Sequence, residues 1–214
     1  MKKTCVVFLF AMLCTACSSE KAGLRELKRL CEKDAGLRIY KTVEADGYYD
    51  ATGGFDLVQS PYRFYEFCDG SPFKSSVIPE PGCYRVEKVG RETGQCHQAY
   101  DEALWNNSFA RGYSEFREKN CIAVEKIDQP TARYSYHNGI KFWPAKNGFS
   151  EFGRSYVEIR VRESGELLSE YISYSYNPRP KFTTPIDCPN INKEMPSFLE
   201  ANLVQQTIKT YKEK

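Results

Sequence analysis

Residues 156–176 read YVEIRVRESGELLSEYISYSY. Val157, Ile159 and Val161 alternate with Glu158, Arg160 and Arg162, the period-two pattern of a strand with one buried face. Ser164-Gly165 is a turn signal. From Leu167 the chain returns, with Leu168, Ile172, Tyr174 and Tyr176 on one face. The stretch is therefore a β-hairpin, and Asn177-Pro178-Arg179-Pro180 closes it.

Shorter strand patterns precede it. Leu37–Val43 (LRIYKTV) alternates, and Tyr62–Phe67 (YRFYEF) carries aromatic residues on both faces. Cys83–Val89, Cys121–Ile127 and Thr131–His137 are further strand candidates, the last two separated by Asp128-Gln129-Pro130. Ala45–Gly54, which holds Tyr48 and Tyr49, reads as a turn-rich stretch, and SPFKSSVIPEPG at 71–82 reads as a loop. Leu24, Leu27, Leu30 and Cys31 share one face of a helix that Gly36 would cap. Asp101–Arg117 holds one or two short helices. A last helix begins at Ser197, where Ser197 and Glu200 form a capping-box pattern, and lines Ala201, Val204, Ile208 and Tyr211 on one face. The fold class expected is α+β: a twisted antiparallel sheet flanked by N- and C-terminal helices and stapled by disulfides.

The N-terminus points to a compartment. Lys2 and Lys3 precede an uncharged run, Thr4–Ala16 (TCVVFLFAMLCTA), too short to span a bilayer core, which needs about 20 residues. It suits the apolar region of a secretory signal. Leu13, Thr15, Ala16 and Cys17 resemble a bacterial lipoprotein signal, in which a small residue precedes the cysteine that is acylated after cleavage, for example with palmitate. Cys14 departs from that pattern, which favours an aliphatic residue three before the cysteine. The resemblance implies a signal at 1–16, lipidation of Cys17, a tether at 17–22, and anchoring to a lipid bilayer through the acylated Cys17. Ser18 after the cysteine resembles lipoproteins sorted to the outer membrane, facing the periplasm. The rival is ordinary secretion with cleavage after Ala16.

The chain has 214 residues, 41% of them apolar and 27% charged, which excludes a disordered tail and a multispan membrane protein. The formal charge is +2, and both charges belong to Lys2 and Lys3. The rest balances, which argues against nucleic acid as a partner. Residues 23–214 read as a single domain with a cysteine-containing insertion around 68–121.

Of nine cysteines, two leave with the signal and one is lipidated. Six remain: Cys31, Cys68, Cys83, Cys96, Cys121 and Cys188. An even set in an oxidising compartment reads as a disulfide framework, with fifteen connectivities open. Position favours Cys31 with Cys188, Cys68 with Cys83, and Cys96 with Cys121. No C-x-x-C occurs, His97 adjoins Cys96 and His137 stands apart, so no metal or cofactor is expected.

Leu30-Cys31-Glu32-Lys33-Asp34-Ala35-Gly36 followed by Tyr40-Lys41-Thr42-Val43 is similar to the start of an uncharacterised family of bacterial lipoproteins. The turn at 162–170, the tyrosine-rich strand after it and Cys188-Pro189 resemble that family's late segment. The resemblance covers roughly 17–45 and 155–190. It supports Cys31 and Cys188 as partners and implies no activity.

There is no G-x-S-x-G elbow, P-loop or H-E-x-x-H. Glu115/Glu118 and Glu163/Glu166 sit in charged stretches and read as solvated faces. Tyr48, Tyr49, Trp105, Phe142 and Trp143 fall in or near expected loops, where aromatic side chains build contact surfaces. The leading expectation is a membrane-anchored, non-enzymatic protein of the bacterial envelope that binds an envelope protein or a periplasmic effector, an immunity-type protein being one version. The alternative is an enzyme or binding module acting on peptidoglycan or another glycan, which requires an aromatic-lined cleft with a carboxyl of raised pKa. A purely structural envelope component is the third.

Overall fold

A computed structural model describes residues 20–51, 57–58, 60–68, 78, 80–106, 111–179, 184–188 and 199–211, with only the backbone described at 103–106, 111–113 and 199–202. The signal stretch and Cys17 lie outside the described residues, as do the loop at 71–77 and the expected cap Ser197.

Helix α1 occupies the described residues 20–34. Strands β1 (Gly36–Ile39), β2 (Val43–Glu44), β3 (Gly47–Asp50), β4 (Phe64–Phe67) and β5 (Cys83–Gly90) follow. Helices α2 (Gln98–Asn106) and α3 (Arg111–Lys119) lead to β6 (Asn120–Ile127), β7 (Tyr134–Pro144), β8 (Glu151–Val161) and β9 (Leu167–Asn177). The chain ends with β10 (Ile186–Asp187), α4 (Leu199–Thr207) and β11 (Ile208–Lys209). The sheet runs β1-β9-β8-β7-β3-β4-β5-β6, with β10 on β9.

The fold is α+β, as the patterns predict, with two corrections. The sheet is mixed rather than antiparallel. Strand β3 lies parallel to both β4 and β7, with Tyr48 opposite Tyr65 and Asp50 opposite Tyr136. The stretch at 45–54 read as turns, yet it supplies this central strand. Tyr48 and Asp50 are both fully buried, and an aspartate on the inner face hides the apolar alternation that marks a strand. The second correction is at the C-terminus, where the helix stops at Thr207. Ile208 then pairs in parallel with Val43. The Ile208 carbonyl accepts a hydrogen bond from Tyr62 Oη at 2.7 Å, and Thr207 Oγ1 donates to Ser169 Oγ at 2.6 Å. Three long-range ties thus outweigh one more helical turn, whose β-branched Thr207 and Ile208 are mediocre helix formers.

The hairpin read from 156–176 is present as β8 and β9. Val157, Ile159, Leu168, Ile172, Tyr174 and Tyr176 are all buried. A second hairpin, β7 with β8, extends each strand well beyond its sequence pattern.

The chain divides into two compact units. Unit 1 takes its described residues from 20–38, 139–156 and 171–199. In its core, Leu27 of α1 packs with Phe152, Ile172, Tyr174, Tyr176 and Cys188. Unit 2 comprises 39–138, 157–170 and 200–214. Its core gathers Tyr65, Phe67, Tyr84, Val86 and Ile122.

All three disulfides form, in the pairs that position favours. Cys31–Cys188 joins α1 to the segment after β10 within unit 1, with Cα atoms 5.7 Å apart. Cys68–Cys83 and Cys96–Cys121 lie in unit 2. The stretch 68–121 carries β5, which pairs with β4 and β6.

Candidate functional site

Unit 1 holds a cleft of about 690 Å³. One wall is the start of α1, with Ala22, Gly23, Glu26 and Arg29. The other is the β7–β8 hairpin, from Trp143 to Asn147, and the floor is Phe152 and Tyr176.

Gly23 makes the close approach of α1 possible. A Cβ there would lie 2.2 Å from the Tyr176 ring. Trp143 stacks on Phe152 with centroids 5.8 Å apart and meets Tyr174 edge to face at 6.3 Å. Phe152 meets Tyr176 at 5.0 Å. These contacts fix an aromatic floor with few rotamer choices.

The turn beside the cleft is wired by hydrogen bonds. Asn147 Oδ1 accepts from the amides of Phe149 and Ser150 at 3.1 and 3.0 Å. Gly148 adopts φ +70°, which suits glycine. Ser150 Oγ donates to the Pro178 carbonyl and accepts from Tyr176 Oη, both at 3.1 Å. This rigid turn presents Phe149 to solvent at 85% exposure.

The charges around the cleft are Glu26, Arg29 and Lys146. Arg29 donates two hydrogen bonds to the Glu26 carboxylate, at 2.7 and 2.8 Å. The Arg29 hydrogen bond, opposed by slight burial and aided by the charges of Arg29 and Lys146, holds Glu26 below the usual carboxylate range. Glu26, the one carboxyl among the described residues lining the cleft, therefore stays ionised near neutral pH, whereas a general acid needs its proton. The arrangement suits burial of an apolar or aromatic group under a charged rim.

Other candidates fall elsewhere. His137 Nε2 lies 2.9 Å from Ser135 Oγ, so this histidine does not stand apart. The spacing is that of a nucleophile and its base. Ser135 is nevertheless 2% exposed and also bonds the Arg160 carbonyl, so a substrate could not reach its hydroxyl. Burial, opposed by the charges of Glu158 and Asp50, pulls the His137 pKa down and keeps the ring neutral. His97 lies edge to face with Tyr100 beside the Cys96–Cys121 disulfide. Glu115, Glu118, Glu163 and Glu166 are exposed, as their stretches suggest. Tyr48 is buried, Tyr49 lies under Arg162 at 5.3 Å, and the Trp105 side chain lies outside the description. Of the aromatic residues singled out in the sequence, Trp143 lines the cleft and Phe142 stands exposed on the same hairpin. Phe149 and Phe152 gave no sequence signal, because they flank a turn that only the extended hairpin reveals.

Among the described residues no helix is long and apolar enough to cross a membrane, and no three His, Cys, Asp or Glu side chains gather to hold a metal ion. No protein-family model, no curated protein and no solved structure matches the chain.

Proposed function

We propose that this chain is a lipid-anchored protein of a bacterial envelope, held by acylated Cys17, facing the periplasm from the outer membrane, and acting by binding rather than by catalysis. In the same reading the sheet has the usual right-handed twist and the terminal helices flank it. The partner is an envelope protein or a periplasmic effector, and an immunity-type role is the specific version. The observation that carries the reading is the aromatic cleft of unit 1. Its size fits an apolar side chain or short loop of a partner, the anchor-in-pocket pattern of binding hot spots, and its carboxylate is neutralised by Arg29 instead of being poised to give up a proton.

A photo-crosslinking residue at Lys146, on the cleft rim, tests this in cells. The expected result is a discrete adduct with one secreted or envelope protein, lost when Trp143→Ala removes the aromatic ring from the cleft wall. A lack of any adduct, or one indifferent to Trp143→Ala, would count against the reading. The same aromatic floor favours a second reading, a peptidoglycan-binding module, because flat rings stack on sugar faces. Saturable quenching of indole emission by soluble muropeptides, absent in Trp143→Ala, would favour it over a protein partner.

A further inference from the structure

We infer that the β7–β8 hairpin of unit 1 docks into the bilayer that anchors the chain, with Phe149 as the inserted residue. The inference rests on the lipid-anchor reading and names a second contact made by the same unit.

Three observations converge. The first is exposure on a hydrogen-bonded turn. Phe149 is 85% exposed, yet its turn is fixed by Asn147 and by the Ser150–Tyr176 bond. At that exposure little of the Phe149 ring packs against the described residues of unit 1. Phe142, 58% exposed, lies on the same hairpin.

The second is where the anchored end of the chain emerges. The described part of helix α1 opens at residue 20, three residues after Cys17 in the sequence. Three residues reach at most about 10 Å when fully extended. Gly23 lies against the Tyr176 ring, and Tyr176 Oη bonds Ser150, the neighbour of Phe149. The start of α1 and the hairpin turn therefore leave unit 1 at the same end, so an acylated Cys17 brings the turn to the membrane surface.

The third is charge. Residues 139–156 carry Lys141, Lys146 and Arg154 against Glu151 alone. That excess suits the anionic headgroups of a phospholipid leaflet. An apolar tip on a hairpin with a basic excess suits interfacial insertion, which reaches about 5–10 Å below the headgroups. Phe142 stands three residues before the turn begins, about 10 Å up the strand, and so meets the headgroup layer. A docked hairpin would also fix the bearing of unit 1 on the membrane, which a lipid tether alone leaves free.

The test uses the full chain, purified with its lipid and reconstituted into vesicles of phosphatidylethanolamine and brominated phosphatidylglycerol. Phe149→Trp replaces an exposed side chain and leaves the core untouched, and an unchanged near-ultraviolet dichroism confirms the fold. The indole it adds is expected to emit to the blue of a water-exposed indole and to lose about half of its added emission to the bromines, relative to the parent chain. Added emission at the wavelength of exposed indole, unquenched, overturns docking even while the protein floats with the vesicles. That outcome leaves the anchor standing and assigns Phe149 to a protein partner. A chain that carries no lipid and does not float overturns both readings.

Discussion

Glu66 shows how one buried charge organises a loop. It sits on β4 with no exposed surface. Arg85 bonds its Oε1 at 2.7 and 3.1 Å, and the Thr131 hydroxyl meets the same oxygen at 2.8 Å. The amides of Thr131 and Ala132 bond Oε2 at 2.6 and 2.8 Å. Burial alone would raise the pKa. The Ala132 amide, the Thr131 hydroxyl, Arg85 and the Thr131 amide together outweigh it and hold the carboxyl below its ordinary value of 4.5. A depressed folded pKa gives stability that is complete above the unfolded value and fades as pH falls through the folded one. Glu66→Gln keeps the shape and removes the charge. It should cost about 2–3 kcal/mol near neutral pH, with a smaller deficit in acid, because the parent loses this contribution there. Urea midpoints measured from about pH 7 to about pH 3 check this. A constant offset across the series would mean that the carboxylate's charge does not matter. The residue was readable only as one more charged position in an aromatic strand, since its partners lie on β5 and in the loop before β7.

At the level of elements, the β8–β9 hairpin was legible because its alternation is clean and its turn is local. Strand β3 was not. It has four residues, begins with a glycine and buries Asp50, so nothing local separates it from a turn. Its parallel pairing with β4 and β7 depends on strands remote in the chain, and a local period carries no information about those. The cleft was illegible for the same reason, since it joins the start of α1, the β7–β8 turn and the end of β9. Its seam makes a sharp prediction. Gly23→Ala would ordinarily help a helix by about 1 kcal/mol. Here the added methyl would lie 2.2 Å from the ring of Tyr176, a buried residue that Phe152 and the hydrogen bond to Ser150 hold in place. The net effect should be destabilisation by about 1–3 kcal/mol, with faster amide exchange in α1. Thermal denaturation and hydrogen exchange check it, and a more stable variant would show that α1 is not seated on Tyr176.

For the whole molecule, the anchor reading joins the features that composition alone left separate. On that reading residues 1–16 would carry off the two net charges, and a cysteine beside a small residue, six more cysteines paired in three disulfides and a cleft along α1 suit a stapled domain that works next to a membrane in an oxidising compartment. Each disulfide closes within one unit, so each unit is covalently secured on its own. The longest spans 157 residues and is worth about 5 kcal/mol in the chain-entropy account. The central claim is that Cys17 becomes the lipidated first residue. Intact-mass measurement of the protein extracted from bacterial membranes tests it most directly. The account predicts a chain beginning at Cys17 with the added mass of a diacylglyceryl group and an amide-linked acyl chain, and no such species from Cys17→Ala. A mature chain beginning at Cys17 with no added mass, or one that still retains residues 1–16, would contradict it.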